Sequence, residues 1–201
     1  MPIVSLGTGL EIRVNSQDAQ RVHRALGRIP IEVIDASFKR ALKRATTKAG
    51  VEASKGIRSI YAIKAGRVKE AMKTRPSGPY SVTLTFSSVR PTLGGFNPRQ
   101  GSKGVSVTVK KGQRKLIRGA FMPGGRLAQN RYGGLPAARG AYVGGSFVPS
   151  KARLPITPLK TISVPVMLKQ EAVIEPVMQA TQEALRTTLE REVNFRLAKL
   201  A

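Results

Sequence analysis

The chain has 201 residues, enough for one or two domains, and carries 35 Lys and Arg against 11 Asp and Glu, a formal charge of +24. It holds no cysteine and one histidine, which excludes a disulfide scaffold, a thiol nucleophile and Cys-based or multi-His metal sites. Hydrophobic residues make up 41%, enough for a packed core. The longest run without a charge, Pro76 to Val89, is 14 residues, short of the roughly 20 of a membrane-spanning helix. Met1-Pro2-Ile3-Val4 shows no signal-peptide pattern, so the expectation is a soluble protein of the cytoplasm.

In chain order, residues 1–28 read as weakly structured, with a short strand around Ile12 and Val14. A helical turn containing Ala19, Val22 and Leu26 follows, capped by Ser16 or Asp18. Pro30 then opens an amphipathic helix over 30–55. Ile31, Ile34, Phe38, Ala41, Leu42, Ala45 and Ala49 recur at helical spacing, and Gly56 stands as a glycine C-cap. A second helix is expected from Lys64 to Lys73, ending before Pro76. Val82, Leu84 and Phe86 alternate with Ser81, Thr83 and Thr85 as a strand, and Pro91 to Lys103 reads as a Gly/Pro loop. Val105, Val107 and Val109 form a second alternating strand. Leu116 to Met122 is a third strand or an extended segment.

Residues 123–141, with five Gly and two Pro, read as a long basic loop. Ala141-Tyr142-Val143 and Ser146-Phe147-Val148 read as short strands around Gly144-Gly145, and 149–167 as an extended connection. From about Leu168 a helical stripe returns: Ile174, Met178, Leu185, Leu189, Val193, Leu197 and Leu200. Pro176 must lie in its first turn or kink it. The expected fold is α+β: long N-terminal and C-terminal helices packed on one small antiparallel sheet, with long Gly/Pro-rich basic loops, in a single domain over 1–201.

No acid lies between 71 and 170, a block that holds 17 of the 35 bases. Residues 39–70 add ten bases against two acids, while the two ends are nearly neutral. Such charge attracts an anionic partner, either nucleic acid or an acidic protein surface. The densest cluster is Lys110, Lys111, Arg114, Lys115 and Arg118. It reads as a hairpin tip that touches phosphates or a partner's carboxylates, or as a solvated turn. Arg126, Arg131 and Arg139 of the long loop are further partner- or DNA-facing candidates.

Catalytic patterns are lacking. His23 sits between Arg21 and Arg24 as a surface or interface residue, no Gly-Lys-Ser/Thr occurs, and Gly7-Thr8-Gly9 lacks the third glycine of a dinucleotide fingerprint. Glu190 and Glu192 point to different sides of a helix, and Glu171 and Glu175 fit a solvated first turn. The expectation is no enzyme, no cofactor and no metal. Phe86, Phe96, Phe121 and Phe147 read as core, since aromatics are 5% of the chain and form no stacking platform.

Three segments together resemble the minor tail protein Z family of tailed phages, the tail-completion proteins. They are Tyr61-Ala62-Ile63-Lys64 with Arg67-Val68-Lys69; Arg118-Gly119-Ala120-Phe121-Met122; and Leu154-Pro155-Ile156 with Ser163-Val164-Pro165 before a long C-terminal helix. The resemblance spans about 31–200. It departs between the second and third segments, where the 123–141 loop and Ala141-Tyr142-Val143 replace a short turn and a Val-Phe-x-Arg-like strand.

The resemblance implies a structural α+β virion subunit at the head–tail junction, made in the host cytoplasm. It would form a homo-oligomeric ring, a hexamer, joining tail tube and tail terminator to the head connector. The implied partners are acidic surfaces of those neighbours and the DNA passing through the ring, with no membrane and no catalytic residues. The alternative is a basic nucleic-acid-binding protein, ribosome-associated or nucleoid-like.

Overall fold

The computed structural model describes residues 3–6, 9–13, 31–78, 80–124 and 135–199. Its elements in chain order are β1 (Ile3–Leu6), β2 (Gly9–Arg13), α1 (Ile31–Ile60), α2 (Ala65–Ala71), β3 (Met72–Gly78), β4 (Ser81–Phe86), a 3-10 turn (Leu93–Gly95), β5 (Arg99–Gly101), β6 (Gly104–Thr108), β7 (Arg114–Arg118), β8 (Ala137–Val143), β9 (Ser146–Pro149), β10 (Ile156–Pro158), α3 (Val164–Leu168) and α4 (Glu171–Leu197). The fold is α+β, with a long helix toward each end and antiparallel strands between them. The strands form three small sheets rather than one: β1-β2-β4-β3, β5-β6-β7 and β10-β8-β9.

The contacts divide the chain into two compact units. The first comprises residues 1–57, 68–88 and 165–201, the second 58–67 and 89–164. In the first unit, one face of α1 is buried along its length by Ile34, Phe38, Ala41, Leu42, Ala45, Ala49, Ala53 and Ile57. This is the 3.6-residue periodicity that the sequence shows. α4 runs antiparallel to α1: Leu189 packs on the Ile34 and Phe38 cluster, Glu192 meets Arg40 at 3.3 Å, and Val173 lies against Gly56. Buried hydroxyls on these helices bond back to the carbonyl four residues earlier: Ser37 to Val33, Thr46 to Leu42 and Thr181 to Val177. A helix face can therefore bury them without leaving a donor unpaired.

Several expectations are corrected. The helix does not stop at Gly56 but continues to Ile60. A Cβ at Gly56 would stand 3.0 Å from Val173 Cγ1, so the glycine serves helix packing and not capping. The segment 1–28 contributes two strands, and β2 pairs with β4 from Gly9↔Thr85 to Arg13↔Ser81. The helical turn expected at 19–26, with its caps Ser16 and Asp18, lies outside the described residues, as does His23. The second helix ends at Ala71, and the chain goes straight into β3, which runs through Pro76. β3 is the sheet's edge strand, where a residue without an N–H is tolerated.

The Pro91 to Lys103 loop contains the 3-10 turn and β5, while 149–167 contains β10 and the start of α3. Pro176 sits in the second turn of α4, which continues to Leu197. The buried face of α4 is Val173, Ile174, Val177, Thr181, Leu185 and Thr188. Met178, Leu189 and Val193 of the expected stripe are only half-buried, because the face includes threonines that an apolar pattern passes over. Phe86 and Phe96 are core, whereas Phe121 and Phe147 are half-buried.

In the second unit, Val105 and Val107 of β6 are buried with Tyr61, Leu93, Phe96 and Leu159. Backbone pairs far apart in sequence hold it together: Tyr61 bridges Lys110, Thr92 bridges Lys160 and Phe121 bridges Ala137. The β8–β9 hairpin closes at Gly144-Gly145, as the glycine pair suggests. At Gly140 the φ is +140° and an added Cβ would overlap the Val148 carbonyl, so only glycine fits.

Tyr80 packs edge-to-face on Phe38, with ring centroids 5.3 Å apart, and donates its hydroxyl proton to Asp35 Oδ1 at 2.5 Å. That bond, then burial, raises the Tyr80 pKa above its ordinary value. The contribution needs the neutral phenol. It is complete below the unfolded value of about 10 and is lost as pH rises through the raised folded value. In urea denaturation, Tyr80→Phe is expected to cost about 1 kcal/mol at pH 7, with the gap to the parent closing above about pH 10. Gly56→Val is expected to cost about 1–3 kcal/mol by overpacking. Adding Val173→Ala to that variant should return part of the loss.

Candidate interaction surface

The division into units sharpens the charge pattern. The second unit contains seventeen Lys and Arg and no Asp or Glu, while all eleven acids belong to the first. The first unit offsets some of its cations locally: Glu52 accepts from Lys55 at 3.0 Å and Lys48 at 3.1 Å, which holds its carboxyl below the usual range. The second unit has no such partner to offer. Among its described cations, Arg90 and Arg114 donate to backbone carbonyls and a serine hydroxyl.

The basic cluster resolves into two faces of one strand. Residues of β7 alternate across the sheet, so Lys115 and Ile117 share one side and Arg114, Leu116 and Arg118 the other. On the second side Arg114 is pinned: its guanidinium donates to the Asn97 carbonyl at 2.6 Å and to Ser106 Oγ at 3.0 Å. Leu116 stands 48% exposed between the two arginines, and Arg118 faces Gly104 in the register. Lys111 lies in the turn, where its backbone N–H binds the Ile60 carbonyl. Arg139 is exposed on β8, opposite Ile156, and so belongs to another sheet. Arg126 and Arg131 lie outside the described residues.

On the first side, Lys110 and Lys115 meet Lys160 around a groove of about 370 Å³. Its floor is aliphatic, with Leu93 and Val107 buried, Ile117 half-buried and Ile162 37% exposed at the rim. Tyr61 also lines it. Its residue is 1% exposed, and burial raises its pKa. Lys160 is steadied by its backbone N–H, which donates to the Tyr142 hydroxyl at 2.8 Å, and by the Tyr142 ring, 5.8 Å from Nζ. The sequence gives no sign that Lys160 or Tyr61 belongs with Lys110 and Lys115. The bridges Tyr61↔Lys110 and Thr92↔Lys160 bring them together across about 50 and 70 residues of chain.

A larger groove, about 580 Å³, lies in the first unit, lined by Leu42, Thr46, Pro76 and Val82 with Lys39 and Lys43. Among the described residues, no three His, Cys, Asp or Glu gather in a metal-holding group, and no helix is long and apolar enough to cross a membrane. Comparison of the chain with family models, with curated proteins and with solved structures finds no match.

Unequal anchoring of the cluster has a measurable consequence. Lys115 has no acid in its own unit to lose, so Lys115→Gln is expected to change stability by less than about 0.5 kcal/mol. Arg114→Gln removes charge-assisted bonds to Asn97 and Ser106 and should cost about 1–3 kcal/mol. Thermal or urea unfolding of the two variants at equal salt checks the contrast.

Proposed function

We propose that this chain is a structural subunit of a phage virion, of the tail-completion kind: a ring-forming neck protein, hexameric, at the head-proximal end of the tail. In this role it joins tail tube and terminator to the head connector, and its cations meet acidic neighbours and the DNA that passes through the ring. The observation that carries the reading is the order of the three family-like segments along one framework. Tyr61, from the first, is buried and backbone-paired to Lys110. Ala120, from the second, is buried, and Phe121 bridges Ala137. In the third, the Pro155 carbonyl accepts the Gly140 N–H, and Ser163 and Val164 are buried ahead of the long α4. Residues in such positions set the spacing of a fold, so their match in order and distance weighs more than the same letters on a surface loop.

The charge division supports the same role. A closed ring uses heterologous contacts, the front of one subunit against the back of the next, and neighbours above and below add further faces. A unit of a single sign, carried on a chain whose other unit holds all the acids, is suited to several different contacts at once. The basic nucleic-acid-binding alternative draws on the same acid-free unit. It differs in needing no virion.

One experiment separates the two: negative-stain imaging of purified virions with an antibody to this chain. Label at the head–tail junction is the expected result. Unlabelled particles, with the protein instead co-purifying with cellular nucleic acid and released by salt, would overturn the tail-completion reading in favour of the alternative.

A further inference from the structure

The groove under β7 combines two features that are not usually found together on a solvated basic surface. Its rim is cationic, with exposed Lys110, Lys115 and Lys160 converging from the β6–β7 turn, β7 and the segment after β10. Its floor is aliphatic, built from Leu93, Val107 and Ile117. A phosphate backbone has use for the rim but none for the floor. A nucleobase seeking to stack needs an open aromatic face, and Tyr61 is buried, 1% exposed. An aliphatic or aromatic side chain from a protein fits the floor, and carboxylates beside it in sequence fit the rim.

Tyr61 lies at the base of the groove. The residue is buried and lines the groove. The opening at Ile162, 37% exposed, leaves the apolar rim uncovered in the free chain. The groove's volume of about 370 Å³ lies at the small end of ligand clefts, the size for one or two anchor side chains and not for a whole helix.

We propose that this groove is the docking site for an acidic segment of a partner protein, which places an apolar anchor over Leu93, Val107 and Ile117 and its flanking Asp or Glu side chains on Lys110, Lys115 and Lys160. The inference deepens the tail-completion reading, in that it assigns the contact with an acidic protein neighbour to one site. Its groove test uses the purified chain with no virion present, so the two fail separately.

The groove selects by shape as well as charge. Seventeen cations attract any polyanion from a distance, but only an occupant with an anchor excludes water from the floor. Affinity for an anchored acidic peptide therefore survives added salt better than affinity for a purely acidic one.

The test is fluorescence anisotropy of the full chain with a labelled synthetic peptide, a Leu-Phe pair flanked by glutamates, and its twin with Ser-Ser in place of the pair. The expected result is binding about tenfold or more tighter for the anchored peptide. That preference should be lost in Ile162→Ser and in the combined Lys110→Gln, Lys115→Gln, Lys160→Gln variant. It should be kept in the combined Lys64→Gln, Lys103→Gln, Lys151→Gln control of equal charge. Equal binding of the two peptides, or equal loss in groove and control variants, would overturn the proposal. So would a DNA duplex that competes for the parent but no longer binds the groove variant, since that gives the groove to nucleic acid. Should the lysine variant fail to fold by circular dichroism, the peptide pair on the parent and on Ile162→Ser still decides.

Discussion

Seventeen cations in a unit without one carboxylate have to be kept compatible with a folded chain, and most of what is particular about this protein follows from how that is done. No ion pair inside the unit can offset the repulsion, so cohesion comes from backbone pairing and from a small apolar core around Val105, Val107, Leu93 and Phe96. Two of its cations are built into the framework by neutral acceptors: Arg114 donates to the Asn97 carbonyl and the Ser106 side chain, and Arg90 to the Gly145 carbonyl. Exposed lysines such as Lys110 and Lys115 stand at the surface, where solvent and salt screen them. A surface arranged in this way gains from association more than it contributes to its own stability.

The first unit follows a different rule. Its stability rests on the buried face of α1, where Ala41, Ala45, Ala49 and Ala53 lie in line with Ile34, Phe38 and Ile57, and on Gly56, which admits Val173 of α4. At the other end of α1, Ile34 and Phe38 are covered by Tyr80 and Leu189. The acids serve this unit locally, Glu52 against Lys48 and Lys55, Glu192 against Arg40 and Glu190 against Arg186. Their absence from the second unit is thus a division of labour between two compact bodies of one chain.

How much of this was legible beforehand depends on the range over which each feature is encoded. The long helices and the alternating strands Ser81–Phe86 and Gly104–Thr108 are written in local periodicity, and the α+β class follows from them. The β8–β9 hairpin is marked by its glycine pair. Strands β1, β3 and β5 lack an alternating pattern of their own and exist because of partners elsewhere; β2 pairs with β4 some 70 residues on. Gly56 reads equally as a cap or as a packing contact until Val173 is known to face it. The candidate site shows the same limit. Charge count marks Lys110 and Lys115, and period-2 alternation along β7 separates Lys115 from Arg114 and Arg118. Lys160 and Tyr61 join them only through bridges that no local rule encodes.

The composition of the second unit has one more consequence. Without Asp, Glu or His, it contains no side-chain type whose ordinary pKa falls between about 5 and 8. Its charge is therefore constant across the range in which most proteins are titrating. Where this unit alone makes the contact, the groups that titrate in that range are the other party's. A change of binding with pH reports the carboxylates or phosphates of the partner, and this side of the interface behaves as a fixed electrode against which they can be read.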